Sequence, residues 1–543
     1  MARDPATDRA TLRTIHDAAQ SGRHVDAAAL AEAAFADGLE HPLVLNLLAL
    51  KREEQNRILD AEDLLKRAVN IAPTDIGARN ALGLCLLRLD RPADALTQFT
   101  ALLDLDPSLP FVHASLGNTL FALGRFAEAE ARYRRAVELD ARQGIALAGL
   151  ARIAVGRAEY PEARGMAERA LAVIPGFPDA AMSLAAADLG ERDLAAAEPR
   201  IRALLDDSRL SPTERAYANG LLGDTLDAKN DTDQAFAAYT LCNHELRRVY
   251  AVRFAKGRDA LDYARSMNSC FERTRPEIWS SRAPPDARCT GAAAHVFLLG
   301  FPRSGTTLLD VILKGHRDVV GLDDNESMID AVREFMQRPQ DLDGIAAAPD
   351  ATLVRLRTAY WQRVAAAGVE VPGKVFIDKN PLNTLKMPLI SRLFPDAKIL
   401  FACRDPRDIV FSSFRHRFAM SAPYFELLSV ESAARYYDAV MRLSLRFIAI
   451  LAPEICLVRH EDVVAEFGRE MKRICTFLAI DWDPAMGDFA LRSKSREAPT
   501  PNTAQLVKAL NTEGIGQWRR YRAHLAPVLD LLDPWVKRFY YED

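Results

Sequence analysis

The sequence lacks the features that mark a membrane protein, a disulfide-rich protein or a nucleic-acid-binding protein. Its apolar residues never form an uninterrupted run of the ~18 residues that a membrane span requires. The 7 cysteines among 543 residues show no CxxC spacing, which argues against a zinc cluster or a disulfide framework. The 70 basic and 74 acidic side chains nearly cancel to a net charge of −4, so nothing in the overall charge attracts nucleic acid. We therefore expect a cytoplasmic, metal-free protein in which any anion site is local.

A 34-residue period runs through the first half of the chain. Small residues recur in two series offset by 12, namely Ala49, Gly83, Gly117, Ala151 and Ala185, and Ala61, Ala95, Ala129, Ala163 and Ala197. Small side chains at this spacing let two antiparallel helices approach closely. Several repeats also carry a proline that ends the second helix. This pattern is typical of tetratricopeptide repeats.

The period shifts after the fifth repeat. Gly223 keeps its partner Ala235 at a distance of 12, but it follows Ala185 by 38 residues. We expect the extra residues in the loop around 208–213. Residues 8–40 are alanine-rich and helical in pattern, as a degenerate N-terminal helix pair of the array would be.

The register of 34 ends near Val252, and a proline-containing stretch follows at 280–291. The sequence therefore predicts a repeat array over 8–250, a helical linker over 251–290 and a second domain over 291–543.

The second domain opens with a strand, a loop and a helix. The apolar segment 295–299 is followed by the loop Gly300–Thr307 and then by an apolar helical run. Such a loop directs backbone N–H groups and the positive end of a helix at an anion. Gly305 lets the backbone come close, and Arg303 adds a full positive charge. The motif predicts a phosphate-binding site.

The loop differs from a nucleotide P-loop at one position. Gly300 and Gly305 have the P-loop spacing, but Thr306 stands where the lysine would be. That lysine serves the triphosphate of a kinase or ATPase, and its absence disfavours this alternative.

The segment Pro302–Thr307 resembles the 5′-phosphosulfate loop of sulfotransferases, and especially that of tyrosylprotein sulfotransferases. The resemblance extends over about 294–539. It implies that the sulfuryl donor 3′-phosphoadenosine 5′-phosphosulfate (PAPS) is bound by this loop, through Arg303, Ser304, Gly305, Thr306 and Thr307.

Three further segments are similar to this family. The stretch 403–413 resembles the segment that grips the 3′-phosphate, which implies that Arg404 and Ser412 bind this group. Lys379, after the apolar strand 375–378, corresponds to the family's lysine near the sulfuryl group and joins Arg303 in the implied catalytic set. The stretch 510–518 is similar to the family's closing loop, except that Gly516 stands where tyrosylprotein enzymes have a serine that contacts the donor.

The general base has two candidates. The segment 316–327 lies where the family places its catalytic acid, and counting from His316 gives Asp324, whereas a two-residue insertion gives Glu326. We favour Glu326 because the helical pattern begins just after it, while Asp324 also suits a helix cap. The histidines His316, His416 and His460 are weaker alternatives, because none has a partner at a persuasive spacing.

Taken together, the sequence predicts a tetratricopeptide superhelix followed by a three-layer α/β domain with a mainly parallel sheet. The function it indicates is transfer of a sulfuryl group from PAPS to an acceptor hydroxyl. A protein tyrosine recruited by the array is the first hypothesis, and a carbohydrate or lipid hydroxyl stays open. The alternatives are a P-loop kinase or ATPase and a non-catalytic repeat scaffold with a degenerate PAPS domain.

Overall fold

The computed structural model describes residues 5–55, 57–254, 259–274, 276–279, 291–489 and 512–541. The described residues up to Glu191 form one compact unit, and those from Arg192 onward form a second. The stretch 280–290, where we expect the domain boundary, lies outside the described residues, as do residues 510–511 at the start of the predicted closing loop.

The first unit is entirely helical in its described part. Its helices, antiparallel pairs joined by short turns, are α1 (Pro5–Gln20), α2 (His24–Ala36), α3 (Pro42–Glu54), α4 (Ile58–Ile71), α5 (Ile76–Arg88), α6 (Pro92–Leu105), α7 (Pro110–Ala122), α8 (Phe126–Leu139), α9 (Gly144–Gly156), α10 (Tyr160–Val173) and α11 (Pro178–Gly190). This is the tetratricopeptide superhelix that the period of 34 predicts.

The glycines of the period are needed because an aromatic ring from the second helix of each pair lies directly against them. A Cβ atom at Gly83 would lie 2.5 Å from the Phe99 ring, and one at Gly117 would lie 2.5 Å from the Tyr133 ring. Real Cβ atoms do not approach a neighbour so closely, since interiors are already close-packed. The repeat signature is thus a packing requirement.

The second unit begins with the last repeat helices and continues into an α/β domain. Its helices are α12 (Leu194–Leu205), α13 (Pro212–Ala228), α14 (Thr232–Phe254), α15 (Ala260–Arg273), α16 (Thr306–Leu313), α17 (Ile329–Phe335), α18 (Leu342–Ala346), α19 (Asp350–Ala366), α20 (Met387–Leu393), α21 (Pro406–Arg415), α22 (Ala422–Phe425), α23 (Val430–Leu451), α24 (His460–Ala465), α25 (Phe467–Leu478) and α26 (Arg522–Arg538). None of the helices in these ranges combines the length and the apolar character that a membrane crossing requires.

The shift in the repeat period lies mainly in a helix. We expected the four extra residues in the loop around 208–213, but α13 already starts at Pro212 and has 17 residues where α11 has 13. Ser211 and Glu214 form a reciprocal capping box at its start, which stabilises the first turn. The insertion is therefore one additional turn of helix, which keeps the same face of α13 toward α14.

The sheet has five parallel strands, β1 (Ala294–Gly300), β2 (Val319–Asp323), β3 (Val375–Lys379), β4 (Lys398–Cys403) and β5 (Glu454–Arg459), in the order β2-β3-β1-β4-β5. The chain first adds β2 and β3 on one side of β1 and then crosses to the other side, where it adds β4 and β5. In open parallel sheets, ligands bind outside the carboxyl ends of the strands at such a switch point.

Helices cover both faces of the sheet. Val296 and Leu298 of β1 point into an apolar core shared with α16 and α25. The alternate residue Phe297 faces the other way, where it lies 5.7 Å from the Phe394 ring. Because side chains alternate along a strand, this arrangement gives the three layers that the sequence predicts.

Candidate active site

Each strand of the sheet delivers a charged or polar side chain to its carboxyl edge. The residues at the five strand ends, or within three positions after them, are Arg303 after β1, Asp323 and Asp324 at β2, Lys379 at β3, Arg404 after β4 and His460 after β5. All of them belong to the second unit. The sheet therefore brings together residues that lie up to 157 positions apart in the chain.

The loop between β1 and α16 has the conformation of an anion cradle. Arg303 and Gly305 adopt positive φ angles of 71° and 96°, and Gly305 is the residue before the first turn of α16. Thr384 holds the loop's base, since its hydroxyl accepts from the Gly300 N–H at 3.0 Å and donates to the Gly300 carbonyl at 2.7 Å. The buried Ser304 hydroxyl has no hydrogen-bond partner among the described residues.

Two predicted donor-binding residues of β4 and α21 meet this loop. Arg404 donates to the Arg303 carbonyl oxygen at 3.1 Å, and the Nε atom of Arg303 donates to the Ser412 hydroxyl at 2.9 Å. Arg404 and Ser412 are both buried. The Nε atom of Arg404 has no partner within the described part of the chain, which leaves a charged donor available to a ligand.

Arginine side chains lie close to one another around the loop. Burial, together with the charges of Arg404 and Arg415, lowers the pKa of Arg303 to about 9. Burial, together with the charges of Arg404 and Arg303, lowers the pKa of His460 to about 3. Arg303 and His460 thus lie in a buried region where neighbouring positive charges oppose protonation, and a bound anion would offset these charges.

Lys379 is buried between carboxylates at the ends of β2 and β3. Its ammonium group forms ion pairs with Asp323 and, at 2.9 Å, with Asp324. Burial lowers the pKa of Lys379, but the charges of Asp323, Asp324 and Asp310 outweigh this effect and the pKa is raised. The surrounding carboxylates therefore hold Lys379 in its charged form at the sheet edge.

Asp324 is held by its backbone as well as by its side chain. Its φ angle is 49°, and its N–H donates to the Lys379 carbonyl oxygen at 2.8 Å. Surrounding protein atoms desolvate the carboxylate and raise its pKa. A left-handed backbone at a non-glycine residue is a strained feature that concentrates at functional sites.

Glu326 lies in a separate ion pair. Its carboxylate is 2.5 Å from the Lys386 ammonium group and accepts from the Asn380 amide at 3.5 Å. About half of the side chain is exposed, so one side of the carboxylate faces solvent. Asp324 and Glu326 are thus both beside the sheet edge but have different lysine partners.

The three histidines differ in position. The Nδ1 atom of His316 accepts from the Asp318 N–H at 3.0 Å, and its Nε2 atom lies 2.9 Å from the Asp481 carbonyl oxygen, so this ring caps a turn. His416 is half-buried beside Arg303, Arg417 and Arg415, and its pKa is lowered by desolvation and by these charges. His460 lies against the loop, because a Cβ atom at Gly305 would be 2.7 Å from its Nδ1 atom.

The contact between His460 and the loop was not predicted from the sequence. The signal that could have found it is the register of the sheet. Cys403 of β4 pairs with Arg459 of β5, so Arg404 and His460 occupy equivalent places after neighbouring strands.

The described part of the closing loop contacts this same edge. The Gly514 carbonyl oxygen accepts a hydrogen bond from Arg404. Asp408 of α21 accepts from the N–H groups of Gly516 at 2.6 Å and Trp518 at 2.9 Å. At Gly516, where the family has a donor-contacting serine, the backbone N–H is thus used to anchor the loop to α21.

Comparison with known proteins agrees with this geometry. Residues 295–484 match the model of the sulfotransferase family, and residues 12–76 and 115–181 match the tetratricopeptide repeat. The protein-tyrosine sulfotransferase 2 of Gallus gallus is 26% identical over 263 residues, which cover 44% of this chain and 70% of that protein.

Two further matches have lower sequence identity. A protein of Aquifex aeolicus (strain VF5), described as an uncharacterized protein, is 23% identical over 353 residues, 62% of this chain and 44% of that one. This chain therefore spans less than half of the Aquifex protein. The sulfotransferase domain from the Synechococcus PCC 7002 olefin synthase covers 49% of this chain and 100% of its own, with 21% identity and a TM-score of 0.35.

The family match and the strand-loop-helix site coincide in the same residues. The chain carries a sulfotransferase-family domain, preceded by tetratricopeptide repeats.

Proposed function

We propose that the protein is a PAPS-dependent sulfotransferase. The observation that carries the proposal is a pair of buried donors that have no protein partner among the described residues, Ser304 Oγ in the loop and Arg404 Nε beside it. Leaving a buried donor unsatisfied costs about 1–3 kcal/mol. A nucleotide with phosphate at both ends would satisfy both groups and neutralise the arginines.

The donor's two ends correspond to two parts of the site. The loop residues Arg303 to Thr307 would hold the 5′-phosphosulfate with backbone N–H groups and hydroxyls at the start of α16. Arg404 and Ser412 would hold the 3′-phosphate through charge-assisted and hydroxyl hydrogen bonds. An adenosine 5′-triphosphate lacks the 3′-phosphate and would leave this second part unused.

The transfer step uses the positive charges of Lys379 and Arg303. An acceptor oxygen forms a bond to sulfur while the bond between sulfur and the bridging phosphate oxygen breaks, and adenosine 3′,5′-bisphosphate leaves. Lys379 would stabilise the charge that develops on the bridging oxygen, and Arg303 the charge on the sulfuryl oxygens. Because both side chains are fixed before the reaction, no reorganisation is required.

The acceptor's proton goes to a carboxylate, which we assign to Glu326. Both carboxylates are exposed, but Asp324 is bound to Lys379, the lysine that the transfer step uses, whereas Glu326 pairs with Lys386 instead. Lys386 at 2.5 Å would then stabilise the carboxylate between turnovers. Asp324 would orient Lys379.

The acceptor that we propose is a protein tyrosine bound by the repeat array. Tetratricopeptide arrays bind extended segments along a groove, and the Gallus gallus relative is named as a protein-tyrosine sulfotransferase. A carbohydrate or lipid hydroxyl would require no such array.

Transfer of labelled sulfate from PAPS tests this function. Purified full-length protein should label a tyrosine-containing acidic peptide and not the same peptide with phenylalanine in place of tyrosine. The Arg404→Ala variant should label neither. Labelling of a glycan or lipid instead would keep the transferase and reject the tyrosine acceptor, and absence of transfer to all three classes would reject the proposed activity.

A further inference from the structure

One carboxylate of the last repeat contacts both segments that surround the predicted 3′-phosphate site. Asp227, near the end of α13, accepts from Arg415 of α21 at 3.1 Å. It also accepts from the Tyr521 hydroxyl at 2.7 Å and pairs with Arg520 at 3.0 Å. All of these residues lie within the second unit.

The contact with Arg415 reaches the helix that carries Ser412. Residues three apart on a helix are neighbours on one face, so fixing Arg415 also fixes the rotation of α21 at Ser412. Arg415 is close enough to Arg303 for its charge to lower the pKa of Arg303. Asp227 therefore contacts Arg415, which in turn lies next to the residues predicted to bind the phosphate.

The contacts with Arg520 and Tyr521 reach the closing loop from its other end. Tyr521 is fully buried and stacks on Phe411 of α21 with ring centroids 4.0 Å apart. Tyr521 follows Trp518 by three positions in the chain, and the Trp518 N–H donates to Asp408. The closing loop is thus fixed to α21 by Asp408 and to α13 by Asp227.

The last helix pair packs on the α/β domain as part of its core. The Asn243 amide donates to the Phe414 carbonyl oxygen at 2.7 Å, and the Phe236 ring stacks on Phe414 with centroids 5.0 Å apart. Asp224 forms a second ion pair at 2.6 Å with Arg417. Such a contact keeps Asp227 at a constant place relative to α21.

We propose that Asp227 is a positioning residue for the 3′-phosphate of the sulfuryl donor, contributed by a helix that the sequence assigns to the repeat array. This inference rests on the proposed function. By holding Arg415 and Tyr521 together, Asp227 keeps Ser412 and the Arg404-bound closing loop in one arrangement. The last repeat is in this way a structural part of the nucleotide site.

The test compares two nucleotides that differ in the 3′-phosphate. Calorimetry measures binding of adenosine 3′,5′-bisphosphate and of adenosine 5′-monophosphate to the full-length wild type and to Asp227→Asn. The Asp227→Asn variant should weaken binding of the bisphosphate about tenfold, the scale of one charge-assisted hydrogen bond, and leave the monophosphate unchanged. Asp233→Asn is the matched control, since the Asp233 side chain contacts His524 at the same helix pair and has no contact with α21 or with the described part of the closing loop.

Each outcome separates this inference from the function on which it rests. If Asp227→Asn binds the bisphosphate as tightly as wild type or more tightly, the positioning role is overturned. Tighter binding would show that the Asp227 carboxylate only repels the negatively charged nucleotide. An equal loss for both nucleotides would also overturn it, as a purely structural effect. If Asp227→Asn does not fold, Tyr521→Phe decides, because it removes one donor to Asp227 and should show the same selective loss. A wild type that does not distinguish the two nucleotides would instead reject the proposed function.

Discussion

The guanidinium group of Arg404 donates a 3.1 Å hydrogen bond to the carbonyl oxygen of Arg303 and another to the carbonyl oxygen of Gly514. This side chain therefore joins the residue after β4 to the phosphate loop after β1 and to the closing loop. Its Nε atom has no partner among the described residues. A ligand bound here would be contacted by a charge that is already fixed in place.

Replacing Arg404 should weaken the nucleotide site selectively. In Arg404→Ala we expect the binding free energy of adenosine 3′,5′-bisphosphate to fall by about 1.5–3 kcal/mol, because a hydrogen bond to a charged group is lost. Calorimetric titration measures this change. Arg442→Ala is the control, since Arg442 makes an exposed ion pair with Asp438 and should bind like wild type. Equal affinities in both variants would contradict the assignment of Arg404.

The two carboxylates near Lys379 should differ in kinetics. Glu326→Gln removes the proposed base and should lower kcat by about 10²- to 10⁴-fold with little change in donor affinity. Asp324→Asn removes an ion-pair partner of Lys379 and should affect kcat less. Steady-state rates with labelled PAPS separate the two. A larger loss in Asp324→Asn would exchange the roles of the two residues.

Adding one methyl group to the loop should disturb it. In Gly305→Ala the new Cβ atom would lie 2.7 Å from His460 Nδ1, at a φ angle of 96°. We expect a loss of about 1–3 kcal/mol in the free energy of unfolding together with weaker bisphosphate binding. Thermal unfolding and calorimetry check both. Gly468→Ala is the matched control, because its Cβ atom would have no neighbour within 4 Å, and its unfolding temperature should not fall.

A buried carboxyl behind Lys379 should make stability depend on pH. Asp378 accepts from the Tyr360 hydroxyl at 2.8 Å, and burial raises its pKa to about 6. Since the folded state keeps this proton at a pH where the unfolded state releases it, the contribution of Asp378 to stability falls as pH rises from about 4 to 6.

The Asp378→Asn variant should not show this fall. Between pH 4 and pH 6 the free energy of unfolding of the variant should rise relative to that of wild type by about 2 kcal/mol, which is the part of the roughly 3 kcal/mol of this pKa shift that falls in that range. Denaturant unfolding across this pH range measures the difference. A difference that is independent of pH would show that Asp378 does not titrate there.

The sequence predicts the elements whose requirements are local. The 34-residue period follows from the close packing of rings such as Tyr133 on Gly117, so small residues must recur. The loop from Gly300 to Thr307 can be identified because strand, glycine and helix are adjacent in the chain. Parallel strands then place Arg404 beside that loop, as expected from any open parallel sheet.

Long-range pairs are outside the reach of such patterns. Arg415 and Arg417 form a basic cluster in the sequence, but the structure pairs them with Asp227 and Asp224, almost 200 residues earlier. Nothing in the local pattern around Asp227 distinguishes it from a solvent-exposed residue on a repeat helix. These contacts are among those that place the last repeat helices in the compact unit that begins at Arg192. The helical linker at 251–290 stays a prediction.

Competitive calorimetry is the most direct test of the central claim that the site is built for a nucleotide with a 3′-phosphate. Adenosine 3′,5′-bisphosphate should bind the full-length protein, and neither adenosine 5′-triphosphate nor adenosine 5′-monophosphate should displace it at equal concentration. Equal or tighter binding of the triphosphate would contradict the account and favour a P-loop kinase or ATPase. Failure of all three nucleotides to bind would favour a non-catalytic scaffold.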